Sequence, residues 1–213
     1  MEEKRNSGIL ILSKAERPPG LIIVTGTGRC GSTCVASLLL ALGVNLCRTE
    51  NGAGGLEFSE SFRLNDYLKN RNGEGLSTIA AEMGDAVWAF KTPGEFAHIA
   101  FAANHLKHLN PHIICVCRDS VASACCEINF QSRINCNIDQ AEWLRTFAGR
   151  NMRMLAEVSA YAASAPTMFV SFEKLLENKS DVTKGICEFA GIEFSESALT
   201  AIGRNKSYYR CFS

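Results

Sequence analysis

The stretch from Leu21 to Gly43, LIIVTGTGRCGSTCVASLLLALG, restricts the fold more than any other part of the chain. Its opening run, Leu21 to Thr25, is apolar and short enough for a buried strand, whereas Ser32 to Leu42 is continuously small or apolar and stops at Gly43, as a capped helix does. Between the two, Gly26, Gly28 and Gly31 let the backbone turn tightly and let a ligand approach it closely. A strand, a glycine-rich turn and a helix in that order aim backbone N–H groups and the positive end of the helix dipole at one point, and that point is an anion site. Ser32 and Thr33 add hydroxyls there. Arg29, on the crest of the loop, adds a fork of N–H donors that suits a tetrahedral oxyanion without requiring a metal.

The rest of the chain supplies a frame for that loop. Val87 to Lys91, His112 to Cys117 and Thr167 to Phe172 are three further apolar runs of strand length, separated by longer stretches with helical period. This alternation predicts an α/β domain with a central, mostly parallel β-sheet flanked by helices. Phe96, Ile99, Ala100, Ala103, Leu106 and Leu109 put one apolar helix face on the sheet before Asn110-Pro111 ends it. Asp139 with Glu142 resembles a capping box opening a long helix, whose Trp143, Phe147, Met154, Leu155, Val158 and Tyr161 face inward. A last helix around Val182, Ile186, Phe189 and Ala190 ends at Gly191. From Arg48 to Gly75, glycines at 52, 54, 55, 73 and 75 surround a short helix-like piece, SESFRLNDYLKN, read as a loop and cap over the site. With 213 residues, 46% of them hydrophobic, the chain fits one domain over 1–213, with the cap at about 48–75.

Twenty-two basic residues balance 22 acidic ones, so no global field recruits nucleic acid or an anionic membrane, and any anion must be held locally. The ten cysteines form no C-x-x-C pair and no metal-like Cys/His spacing; buried thiols in a reducing cytoplasm are the expectation. The N-terminal twenty residues read as neither a signal peptide nor a membrane span. Oligomeric state is not legible in the sequence.

Gly26 and Gly31 have the separation of a Walker A loop, but Ser32 stands where the phosphate-binding lysine belongs. GTGRCGST instead resembles the 5′-phosphosulfate loop of sulfotransferases, G-x-x-[RK]-[SG]-G-[ST]-[ST], with Cys30 in place of the usual serine or glycine. A second segment, ICVCRDSVASACC, is similar to that family's 3′-phosphate signature, with Ser120 replacing its proline and Cys126 falling where its phosphate-binding serine is expected. Ser123, one turn before Cys126, is the alternative donor, because a thiol donates weakly. WAFKTPGEF and MFVSFEKLLENKSDVTKGICEFAGI resemble later segments of bacterial sulfotransferase-like proteins, in the same order.

The resemblance implies a P-loop-like three-layer fold and transfer of a sulfuryl group from 3′-phosphoadenosine 5′-phosphosulfate (PAPS), leaving PAP, with no metal required. The acceptor it implies is a hydroxyl of a carbohydrate, lipid or small metabolite. By the same resemblance Gly28, Arg29, Cys30, Gly31, Ser32 and Thr33 hold the 5′-phosphosulfate, and Arg118 with Cys126 or Ser123 holds the 3′-phosphate. Arg29 and Lys91 stabilise charge on the transferring group. Pro93 occupies the place of the histidine base of cytosolic members, so Glu57 is the first choice for the base, with Glu60 and Glu50 as alternatives. His98 reads as structural. Phe172 and Glu173 are expected near the adenine, and Arg204, Lys206 and Arg210 read as a solvated tail. Two other readings stay open: a kinase with a degenerate P-loop, and a PAP- or PAPS-binding homologue without turnover.

Overall fold

The computed structural model describes residues 7–14, 16–47, 64, 66–132 and 139–202. Six strands, β1 (Ile9–Ser13), β2 (Leu21–Gly26), β3 (Asn45–Leu46), β4 (Trp88–Pro93), β5 (His112–Cys117) and β6 (Thr167–Ser171), form one sheet in the order β1-β6-β5-β2-β4-β3. All neighbours pair in parallel except β1, which runs antiparallel to β6 at one edge.

The helices are α1 (Ser32–Ala41), α2 (Gly73–Met83), α3 (Ile99–His105), α4 (Ser120–Ser132), α5 (Gln140–Tyr161), α6 (Phe172–Glu177) and α7 (Lys179–Ala190). They cover the sheet on both faces, which is why its central strands are apolar without alternation. Ile22 and Val24 of β2 point to the face covered by α1 and α7, in a core with Val35, Leu38, Leu39, Val182 and Ile186. Leu21 and Ile23 point to the opposite face, against Leu76 and Ile79 of α2, Ile99 and Ala102 of α3, and Met154 and Val158 of α5. Each such fully buried aliphatic side chain contributes about 1.5–3 kcal/mol. The result is the expected three-layer, P-loop-like α/β fold.

Several elements differ in detail from the sequence expectation. The apolar run near the N-terminus is an edge strand, with Leu10 58% exposed and Ile9 and Ile11 turned toward the core. Gly73 and Gly75 belong to α2, which begins at Asn72, whose side chain accepts from Gly75 N–H, and not to a loop. The helix expected over 96–109 is broken into a 3₁₀ turn (Phe96–His98), α3 and a second 3₁₀ turn (Lys107–Leu109). On α5, Asp139 caps the helix by accepting from Ala141 and Glu142 N–H, and Phe147, Met154 and Val158 are buried, but Leu155 is 40% exposed. Leu155 lies about 100° around the helix from Met154, off the buried stripe. Gly191 ends α7 in the left-handed conformation that a C-terminal cap requires.

Candidate functional site

The chain leaves β2, adds β3 and β4 on one side of it, and then crosses to place β5 on the other, so the sheet changes direction at β2. In open α/β sheets, ligands bind outside the carboxyl ends of strands at such a point. The carboxyl ends of β4, β2 and β5 carry Lys91, the glycine-rich loop and Arg118 respectively.

The loop is shaped by close approaches. Gly26, at φ 152°, lets the backbone pass Cys30 Sγ and the Val116 carbonyl, which a Cβ would meet at 2.4 and 2.5 Å. Gly31, at φ 95°, lies against the ring of Phe172, where a Cβ would come within 2.2 Å of Cδ2. Gly28 faces open space, with nothing within 4 Å of where a Cβ would be, so its side of the loop remains accessible to a ligand. Arg29 itself adopts φ 64°, a left-handed conformation that costs a non-glycine residue about 1–2 kcal/mol. The N-cap of α1 is Gly31, which has no side chain to cap the helix.

Three basic side chains gather around this turn. Lys91 is 6% exposed, and its Nζ donates to Thr33 Oγ1 at 3.0 Å, tying β4 to the first turn of α1. Arg118 donates through Nη1 to the Arg29 carbonyl at 3.0 Å and to Cys126 Sγ at 3.3 Å, and its guanidinium lies 5.2 Å from the centre of the Phe172 ring. Arg29 Nε donates to Glu127 Oε2 at 2.6 Å. Ser123 is fully buried, and its hydroxyl has no hydrogen-bond partner among the described residues. A buried hydroxyl without a protein partner is uncommon.

Cys30 packs on the inner side of the loop. Its thiol is wholly buried, packs beneath Gly26, and is pushed up to about 11 by burial, so only its backbone can serve a ligand. Phe172 opens α6 instead of ending a strand, and it supports Arg118 and Gly31 from below. Glu173 accepts from Asp119 N–H at 3.1 Å, bracing the turn after β5. His98 lies beside Glu95 at 3.8 Å, in keeping with a structural role. Glu57, Glu60, Glu50, Arg204, Lys206 and Arg210 lie outside the described residues. Among the described residues no cluster of His, Cys, Asp or Glu could hold a metal ion, and no helix is long and apolar enough to cross a membrane.

The sequence profile of the sulfotransferase family matches residues 60–196, which include Lys91, Arg118, Ser123 and Cys126. The chain belongs to the sulfotransferase family. Solved structures similar to it include several sulfotransferases. They include the sulfotransferase domain of the Synechococcus PCC 7002 olefin synthase, at 18% identity over 89% of this chain and 80% of that one, with a TM-score of 0.51. Mouse sulfotransferase SULT7A1, crystallised with PAP, is 15% identical over 94% and 69% of the two chains, with a TM-score of 0.57. Sulfotransferase STF9 from Mycobacterium avium is 13% identical over 91% and 69%, with a TM-score of 0.58. At these identities the likeness establishes the fold. No curated protein matches the sequence.

Two residues of this sulfotransferase site were not singled out by motif. Asn151 of α5 accepts from Thr27 Oγ1 at 2.8 Å and donates to the Arg118 carbonyl at 3.1 Å and to Ser120 Oγ at 2.7 Å, joining the loop to the turn after β5. Its signal was a polar residue on the buried stripe Phe147, Asn151, Met154, Val158. Glu127 was also missed, although it follows Ser123 by four residues and so shares its face of α4.

Proposed function

We propose that the protein transfers a sulfuryl group from PAPS to a hydroxyl of a carbohydrate, lipid or small metabolite, and that the carboxyl ends of β4, β2 and β5 form the donor site. The observation that carries this reading is the convergence of Lys91, the Arg29 loop and Arg118 on the N-terminus of α1, whose cap is a glycine. Gly28, Gly31, Ser32 and Thr33 fit the 5′-phosphosulfate, in keeping with the open side of Gly28 and the glycine N-cap of α1. Arg118 fits the 3′-phosphate. Of the two α4 candidates Ser123 is the better donor, because its hydroxyl has no partner among the described residues, whereas Cys126 Sγ already accepts from Arg118. The PAP bound to mouse SULT7A1 supports the choice of nucleotide.

Sulfuryl transfer resembles phosphoryl transfer in moving an electrophilic group in line between two oxygens, with catalysis coming mostly from positioning and charge. Arg29 and the loop N–H groups neutralise the leaving phosphate. Lys91, fixed by Thr33, places a cation at the transferring group. The acceptor hydroxyl must lose a proton, and Glu57 is the proposed base.

Incubation with PAPS and a panel of phenols, sugars and lipid alcohols tests this reading. PAP release that depends on acceptor and persists in EDTA is expected, with Glu57→Gln lowering turnover by about 100-fold, the usual worth of a general base. PAP binding without transfer to any acceptor would favour the homologue lacking turnover.

A further inference from the structure

Lys91 and Arg118 donate to a hydroxyl, a carbonyl and a sulfur, none of them formally charged. Arg29 meets a carboxylate: its Nε and Glu127 Oε2 are 2.6 Å apart, and the two side chains are only 19% and 13% exposed. Glu127 follows Cys126, the residue whose sulfur accepts from Arg118, and its own carboxylate meets Arg29, so α4 supplies a partner to each of the two arginines assigned to the donor's phosphates. Asp119 and Glu173 are otherwise engaged, the first capping α4 through Ala122 N–H and the second accepting from Asp119 N–H. A partly buried carboxylate is screened little by salt, and it repels a second anion brought to the same guanidinium.

We propose that Glu127 is a built-in counter-anion of the donor loop: it competes with the nucleotide for Arg29 and thereby weakens binding of donor and product. The inference rests on the donor-site reading above and adds to it the residue that sets affinity. PAPS and PAP each bring two phosphate-bearing ends to a site with several N–H donors, and a carboxylate opposing them favours release of PAP after transfer. A purely structural Glu127 would have the opposite signature, because losing its contact with Arg29 would loosen the loop and weaken binding.

Two substitutions separate charge from shape. Glu127→Gln removes the charge and keeps an oxygen for Arg29 Nε, whereas Glu127→Asp keeps the charge. Isothermal titration with PAP is expected to give about tenfold tighter binding for Glu127→Gln, one like-charge contact being of this order. Glu127→Asp stays near the wild type, and the thermal midpoint of the ligand-free Glu127→Gln variant does not rise. In an Arg29→Gln background the gain from Glu127→Gln disappears, because the carboxylate acts through Arg29. Glu127→Ala carries the same expectation of tighter binding should the glutamine variant not fold. Unchanged or weaker PAP binding in Glu127→Gln, with wild-type binding intact and lost in Arg118→Ala, overturns the role of Glu127 alone. No PAP binding by the wild type or by either neutral variant overturns the donor-site reading, and this inference with it.

Discussion

Alanine at Gly31 is expected to destabilise the protein and abolish its nucleotide binding. The φ of 95° disfavours any side chain, and the added Cβ would fall 2.2 Å from Phe172 Cδ2. Phe172 is 5% exposed and has little room to retreat. Left-handed strain and overpacking together cost about 3 kcal/mol. In a domain of this size such a loss lowers the melting temperature by about 6–12 °C. The damage also reaches the chemistry, because the Arg118 guanidinium lies over the same ring, 5.2 Å from its centre. Gly28→Ala is the control, since Gly28 has open space around it, and its stability is expected to stay within about 0.5 kcal/mol of the wild type. Melting and PAP titration of both variants check this; a Gly31→Ala protein that melts and binds like the wild type would contradict the loop geometry.

Lys91 carries the second large effect. Its ammonium is nearly buried at the end of β4, next to the central strand, and is held by Thr33 Oγ1. In the proposed reaction it stabilises charge on the transferring group more than it binds the product. Lys91→Met keeps the stem's bulk and removes the charge. Turnover is expected to fall about 100- to 1000-fold, the range seen when one preorganised donor is removed from a transition state. PAP affinity should change far less. Equal losses in turnover and PAP affinity would make Lys91 a binding residue.

How much of this was legible in the sequence depends on the range of the interaction concerned. The loop and its helix could be read directly because strand, glycines, arginine and hydroxyls are contiguous between Leu21 and Gly43. Arg118 was legible for the same reason, as it leaves an apolar strand just before a helix. β1 was not, because five residues without polar alternation become a strand only by pairing with β6, Ile9 opposite Val170. Where the Cys30 thiol points was not legible in the motif; it packs against the tight passage at Gly26. Asn151 and Glu127 act across the fold, on Thr27 and Arg29, and neither contact has a local pattern. The apolar residues of α5 did not separate buried Met154 from its exposed neighbour Leu155, which is apolar but lies off the buried stripe.

The central claim is that Arg29 and Arg118 belong to one two-phosphate site that needs no metal. Isothermal titration of the reduced protein with PAP, in EDTA and in Mg²⁺, tests it most directly. The account predicts binding that is equal in both buffers and weakened about 100-fold or more in Arg29→Ala and in Arg118→Ala, each losing charge-assisted hydrogen bonds of about 1.5–3 kcal/mol. Absence of PAP binding, with ATP bound only in Mg²⁺, would contradict it and make the loop that of a kinase.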